Sequence, residues 1–218
     1  LGKRYAGDNK ITDLLYLLSA HVRYGVDFMP IFNLIKERYQ EIQKELSLKV
    51  DISTELEIIK SQIKSGVSEE YLVSRGEYLC AKLMADYLGY AFVDSADVIF
   101  FKYNGNVDED RTVEAINSCF SRYEKMVIPG FYGSYPTGEI KLFSRGGSDI
   151  TGSILAMAVN AEKYENWTDV SGLLMADPKI INKPERIDEI TYDELRELSY
   201  MGANVLHQDC AKFLREND

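Results

Sequence analysis

The stretch SRGGSDITGSILAMAVNA, residues 144–161, sets an arginine, two glycines, a serine and an aspartate directly ahead of an apolar helical run. Two chemistries fit it. Gly146 and Gly147 can form a tight turn, with Ser148 capping the helix that follows. Alternatively, the N–H groups of the turn and helix start, with Arg145 beside them, hold an anionic ligand. Arg145 and Asp149 bracket the turn, and as a surface ion pair alone they would contribute only ~0–1 kcal/mol. Other polar residues sit at expected element ends. Thr12 opens a helix in KITDLLYLL. Glu77 adjoins Gly76 in SRGEYLCAKLMADYL, where a mid-helix glycine costs about 1 kcal/mol relative to alanine and so implies close approach of another group. Tight helix packing, with Glu77 on a solvated face, is the simplest such approach. In WTDVSGLLMADPKI, Thr168 and Asp169 end a strand and Asp177 precedes Pro178, which is also ordinary turn chemistry.

Several classes are excluded. There is no G-x-x-x-x-G-K-[ST], no G-x-G-x-x-G after a strand and no G-x-S-x-G, which removes the P-loop, dinucleotide and nucleophile-elbow readings. The two histidines, His21 and His207, and the three cysteines, Cys80, Cys119 and Cys210, are too dispersed for a structural zinc site. Unpaired cysteines suit a reducing cytosol, so the expected location is cytoplasmic. A net charge of −10 from 35 acidic and 25 basic residues disfavours nucleic acid and anionic membranes as partners, so any phosphate site must be local. No apolar run approaches the ~20 residues of a membrane span.

The elements that must position these residues follow from periodicity. Residues 8–25 carry Asp8 and Asn9 as cap candidates and then a leucine-rich stripe. Amphipathic helices are expected over 27–48, 53–65 and 68–88, so the first 88 residues are mostly helical. At Gly89 the pattern changes: YAFVDS, DVIFF, KMVIPGFYG, IKLF and KYENWTD read as strands, with helices over 109–121 and after Arg145. Thr191 and Glu194 form a capping box, and Asp209 opens a last short helix. Strands alternating with helices imply an α/β domain with a mainly parallel sheet, whose ligands collect at the carboxyl ends of strands. One domain is the expected count.

The segments KITDLLYLL, SRGEYLCAKLMADYL, VIPGFYGSYPTGEIKLFSRGGSDITGSILAMAVNA, WTDVSGLLMADPKI and ITYDELRELSYMGANVLH follow the order and spacing of the aspartate kinases, and the chain resembles that family along almost its whole length. The resemblance implies the amino-acid kinase fold, a three-layer αβα sandwich with a mainly parallel central sheet and a helical insertion around 27–66. It implies that residues 1–218 are the catalytic domain, without the family's opening lysine-containing strand and turn and without the regulatory domains. It also implies ATP-dependent phosphorylation of the L-aspartate side-chain carboxylate to 4-phospho-L-aspartate, on the route to lysine, threonine and methionine, with Mg²⁺ accompanying ATP.

By the same resemblance Glu77 binds the substrate ammonium and Arg145 its α-carboxylate, Thr12, Gly146, Gly147 and Ser148 fix its pose, and Asp149 orients the reacting groups. Thr168, Asp169, Leu174, Asp177, Lys179, Asn204 and Val205 match the nucleotide-binding segments, although Leu174 replaces a frequent tyrosine, Lys179 a frequent arginine and Asn204 a frequent lysine. The quaternary state stays open, a homodimer included. The competing readings are another kinase of the same fold, acting on glutamate, acetylglutamate or a nucleoside monophosphate, and a silent ligand-binding module.

Overall fold

The structure is a computed structural model and describes residues 1–144, 146–167, 172–176, 180–200, 210 and 213. The chain divides into two compact units, Leu1–Leu142 and Phe143–Asp218. The first opens with four helices, α1 (Ile11–Arg23), α2 (Met29–Glu45), α3 (Ile52–Ser65) and α4 (Glu69–Leu88). Local chemistry sets their ends. The Asp51 carboxylate accepts from the Thr54 N–H at 3.0 Å to start α3, and the Ser68 hydroxyl accepts from the Tyr71 N–H at 3.1 Å to start α4. Gly66 and Gly89 end α3 and α4 in the left-handed conformation.

Helix α4 is buried nearly all round, with Leu72, Val73, Ser74, Arg75, Gly76, Leu79, Ala81, Leu83 and Ala85 shielded from solvent. Its exposed side chains are confined to Glu70 near the start and Met84, Tyr87 and Leu88 near the end, so its middle is central to the unit. Helices α1, α2 and α3 lie against it, as do strands on its other side. Half of the apolar cluster, from Ile31 and Phe32 to Ile59 and Ile63, comes from α2 and α3. The helical insertion of the sequence reading is therefore structural core.

Asp8 and Asn9 do not cap α1. The N-cap is Lys10, with no side-chain bond, because Asp8 is occupied elsewhere. Its Oδ2 accepts from both the backbone N–H and the Nε of Arg4 at 3.0 Å and lies 3.6 Å from the buried Arg38 guanidinium. Arg38 in turn donates to the carbonyls of Asn9, at 2.6 Å, and Gly2. A cation on α2 thus clamps the segment leading into α1. The Arg4 bonds and the nearby Arg38 charge hold the Asp8 carboxyl down at about 2, against an ordinary 3.8.

Beyond α4 come β1 (Ala91–Phe92), a 3₁₀ turn (Ser95–Asp97), α5 (Glu109–Phe120), β2 (Met126–Val127), β3 (Tyr132–Ser134) and β4 (Ile140–Leu142). β1 pairs parallel with β2, and β3 pairs antiparallel with β4. The expected strand in DVIFF is reduced to a parallel bridge beside β3, carried by Phe101 N–H to Ser134 O and Ser134 N–H to Ile99 O, both 2.9 Å. The expected parallel pairing is present, in pieces shorter than the apolar runs suggested.

The second unit contains α6 (Gly147–Ala158) and α7 (Tyr192–Tyr200). The capping box is formed as expected: the Thr191 N–H donates to Glu194 Oε2 at 2.9 Å, and the Glu194 N–H donates to the Thr191 hydroxyl at 3.3 Å. Residues 163–167 of the expected KYENWTD strand form no strand; Lys163, Glu165, Asn166 and Trp167 are exposed and their contacts are made by side chains. The last helix expected from Asp209 lies outside the described residues.

Two outcomes test this packing. A Cβ at Gly133 would lie 2.4 Å from the Ile99 carbonyl oxygen, a backbone atom that cannot swing aside; Gly133→Ala should lower the unfolding free energy in urea by about 3 kcal/mol, and an unchanged midpoint would contradict the bridge. Asp8 titrates lower folded than unfolded, so its stabilisation is complete above its ordinary 3.8 and is lost as pH falls through about 2. The gap in thermal midpoint between the wild type and Asp8→Asn should be open at neutral pH and close across that window. A gap that persists at full carboxyl protonation would contradict the clamp.

Candidate functional site

In the first unit the two candidate polar residues flank one helix contact. A Cβ at Gly76 would lie 2.9 Å from Leu15 Cδ1 and 3.3 Å from Ile11 Cγ2, so the glycine is what lets α1 close on α4. The close approach expected from the sequence is therefore helix packing, and α4 runs through Gly76 without a break. Thr12 follows Ile11 and Glu77 follows Gly76, and both are half-buried. Among the described residues neither side chain has a hydrogen-bond or ion-pair partner. Glu77 is thus a half-buried carboxylate next to a tight packing point, suited to a cationic ligand group.

Three residues that the sequence reading did not single out hold this region. The fully buried Tyr39 hydroxyl of α2 donates to the Gly76 carbonyl at 2.7 Å, and burial pushes its titration far up, so it stays a donor. Arg75, also buried, lies 4.6, 4.3 and 5.5 Å from the rings of Tyr71, Tyr78 and Tyr132 and donates to the Ser74 hydroxyl at 3.0 and 3.2 Å. Tyr132 in β3 donates to Asp94 at 2.7 Å, so α4 is tied to the strand layer two residues before Glu77. Arg38 is the third, through its clamp on the residues before α1. The available signal was a charge at apolar spacing: Arg38 follows Ile35 by three residues, and Arg75 sits among Leu72, Val73 and Leu79.

In the second unit the glycine turn differs from the capping arrangement expected of Ser148. Gly146 takes φ 73° and is itself the N-cap, with no side-chain cap bond. Ser148 is therefore inside the helix, exposed, instead of capping it. Gly147, Ser148 and Asp149 form the first turn, whose N–H groups have no intrahelical acceptor; the first regular bond is Ile150 N–H to Gly146 O at 3.0 Å. Asp149 lies in that turn, half-buried, its Oδ1 3.4 Å from Asn166 Nδ2. A first turn whose N–H groups have no intrahelical acceptor, beside one carboxylate, has the chemistry to bind an anion and orient a reacting group against it.

Leu174 forms an antiparallel bridge with Arg186, reinforced by Met175 N–H to Glu185 O and Ile187 N–H to Leu173 O, both 2.9 Å. Arg145, Thr168, Asp169, Asp177, Lys179, Asn204 and Val205 themselves lie outside the described residues. In the first unit, Thr12 and Glu77 each adjoin in sequence a residue of the Ile11–Gly76 contact, and in the second, Gly146, Gly147, Ser148 and Asp149 lie together at the start of α6. Among the described residues no helix is long and apolar enough to cross a membrane.

Residues 17–218 match the model of the amino acid kinase family. The chain is similar to aspartokinase 3 of Bacillus subtilis, 35% identical over 227 residues that cover 95% of this chain and 49% of that protein. It is also 34% identical to the aspartokinase of Geobacillus stearothermophilus over 197 residues, covering 81% of this chain and 47% of that one. Among solved structures, the aspartate kinase of Clostridium acetobutylicum matches with a TM-score of 0.90 at 51% identity, covering 99% of this chain and 48% of that one. E. coli aspartokinase III in complex with aspartate and ADP, an R-state structure, matches with a TM-score of 0.80 at 26% identity, covering 99% and 52%. The chain spans about half the length of the relatives it matches. The expected fold and the resemblance to aspartate kinases are both borne out: the chain belongs to the amino acid kinase family.

Proposed function

We propose that residues 1–218 supply most of the catalytic domain of an aspartate kinase, which transfers the γ-phosphoryl group of ATP to the side-chain carboxylate of L-aspartate. The observation that carries this reading is the 51% identity to an aspartate kinase across 99% of the chain. Its product, 4-phospho-L-aspartate, would feed lysine, threonine and methionine synthesis. Three free cysteines suit a cytoplasmic enzyme.

The chemistry asks little of the protein beyond placement and charge. A carboxylate is already nucleophilic at neutral pH, so no base is needed; its oxygen bonds to the γ-phosphorus as the bond to the bridging oxygen breaks and ADP leaves. Glu77 takes the substrate ammonium, an assignment that fits a half-buried carboxylate with no partner among the described residues. Arg145, in the residue before the glycine turn, takes the α-carboxylate through its fork of donors. Thr12 and Ser148 fix the pose, the first-turn N–H groups of α6 face the developing negative charge, and Asp149 orients the reacting groups. Thr168 and Asp169, with Leu174, Asp177, Lys179, Asn204 and Val205, hold the nucleotide.

Mg²⁺ neutralises charge on the β- and γ-phosphates when it accompanies ATP. Among the described residues no group of three or more acidic, histidine or cysteine side chains gathers into a metal cluster. Asp149, the described carboxylate at the turn, has the oxygen donors that Mg²⁺ takes and would help to hold it.

Calorimetric titration of the full-length protein tests the roles. Arg145→Ala should weaken aspartate by about 1.5–3 kcal/mol, the loss expected for a hydrogen bond to a charged group. Glu77→Gln should weaken aspartate while leaving nucleotide affinity in place. Unchanged aspartate affinity in either variant would remove that residue from the substrate site, and equal losses for both ligands would point to misfolding.

A further inference from the structure

Gly152, in the middle of α6, faces a tyrosine. A Cβ there would lie 2.5 Å from the Tyr164 hydroxyl oxygen and 2.9 Å from two of its ring carbons, so the glycine forms a slot that the ring fills. The Tyr164 phenol is pushed up to about 12, first by burial and then by Cys210 and Asp149. Two residues later Asn166 reaches Asp149 at 3.4 Å. Asp149 and Gly152 are three apart on α6 and share one face. The 163–167 segment therefore touches that face at two points, Tyr164 on Gly152 and Asn166 on Asp149. Running from the first contact to the second, the chain travels back along α6 towards the glycine turn.

We propose that Tyr164 and Asn166 are positioning residues, which fix the register of the 163–167 segment on α6 and thereby the point from which the chain continues into the nucleotide-binding pair Thr168–Asp169. The inference rests on the functional reading above, in which that pair holds the nucleotide. In place of a strand ladder, this segment is registered by a ring in a glycine slot and an amide on a carboxylate. Register matters here because a shift of one residue would exchange the roles of Asn166 and Trp167 and move Thr168 and Asp169 by one position. Trp167, the largest apolar side chain of the segment, is 89% exposed and does not anchor it, which leaves the contacts of Tyr164 and Asn166 to do so.

The test is Gly152→Ala, whose methyl group displaces the ring without touching any residue assigned to a ligand. ADP and aspartate are titrated separately by calorimetry into the full-length protein, with thermal unfolding run alongside. The expected result is ADP binding weakened about tenfold, or about 1.4 kcal/mol, with aspartate binding retained. Gly152→Ala combined with Tyr164→Leu removes the atoms that clash and should recover most of the ADP affinity. Unchanged ADP affinity in Gly152→Ala, equal weakening of both ligands, or a double variant no better than the single one would each overturn the inference. A wild-type protein that binds aspartate but not ADP would instead overturn the nucleotide assignment on which it rests.

Discussion

Helix α1 closes on helix α4 only because Gly76, the residue before Glu77, has no side chain. Three other helices and strands pack against α4, and its exposed side chains, Glu70, Met84, Tyr87 and Leu88, lie near its two ends. Removing the Cβ at Gly76 draws α1 in until Ile11 and Leu15 touch the α4 backbone, and the polar residues on either side of that contact, Thr12 and Glu77, are left half-buried at its edge. The glycine costs about 1 kcal/mol in helix propensity. Full burial of Ile11 and near-full burial of Leu15 contribute about 1.5–3 kcal/mol each, so packing outweighs propensity. The charged groups nearby serve the same geometry: Tyr39 fastens the Gly76 carbonyl, Arg75 ties the helix to Tyr132, and Arg38 with Asp8 clamps the entry to α1.

The helices were legible because their signals are local. Asp51, Ser68 and Gly89 sit where helix ends need a capping oxygen or a positive φ, and the Thr191–Glu194 box closes within four residues. Strands were legible only as apolar runs. Whether such a run pairs along its length depends on partners distant in sequence, so DVIFF shortened to a bridge and residues 163–167 made no strand. Asp8 misled for a related reason: an aspartate before a helix reads as a cap, but Arg4 and Arg38 outbid the helix N–H groups for its oxygens. Arg38 and Arg75 were passed over because a charge at apolar spacing looks like an interruption until its carbonyl and aromatic partners are in place.

The candidate site was legible in a different manner. Residue types and element ends suggested Thr12, Glu77 and the glycine turn, but each had an ordinary structural explanation. Structure now separates some of these. Ser148 is not the cap, Gly146 is, and the first-turn N–H groups of α6 have no intrahelical acceptor. Gly76 is explained by packing, which leaves Glu77 without a structural partner among the described residues. The proposed chemistry needs that outcome. A zwitterion with an extra carboxylate calls for one fixed anion and several donors, and an acidic protein of net charge −10 can supply the donors only locally, from backbone N–H groups and a single arginine.

The most direct measurement is acceptor selectivity: initial rates of ADP formation by the full-length protein with L-aspartate, L-glutamate, N-acetyl-L-glutamate and a nucleoside monophosphate, each at matched concentration. A pocket that reads an α-ammonium with a carboxylate and aligns a short side chain should turn over L-aspartate well ahead of the others and leave the acetylated amine untouched. Faster turnover of any of the other three acceptors would contradict the account.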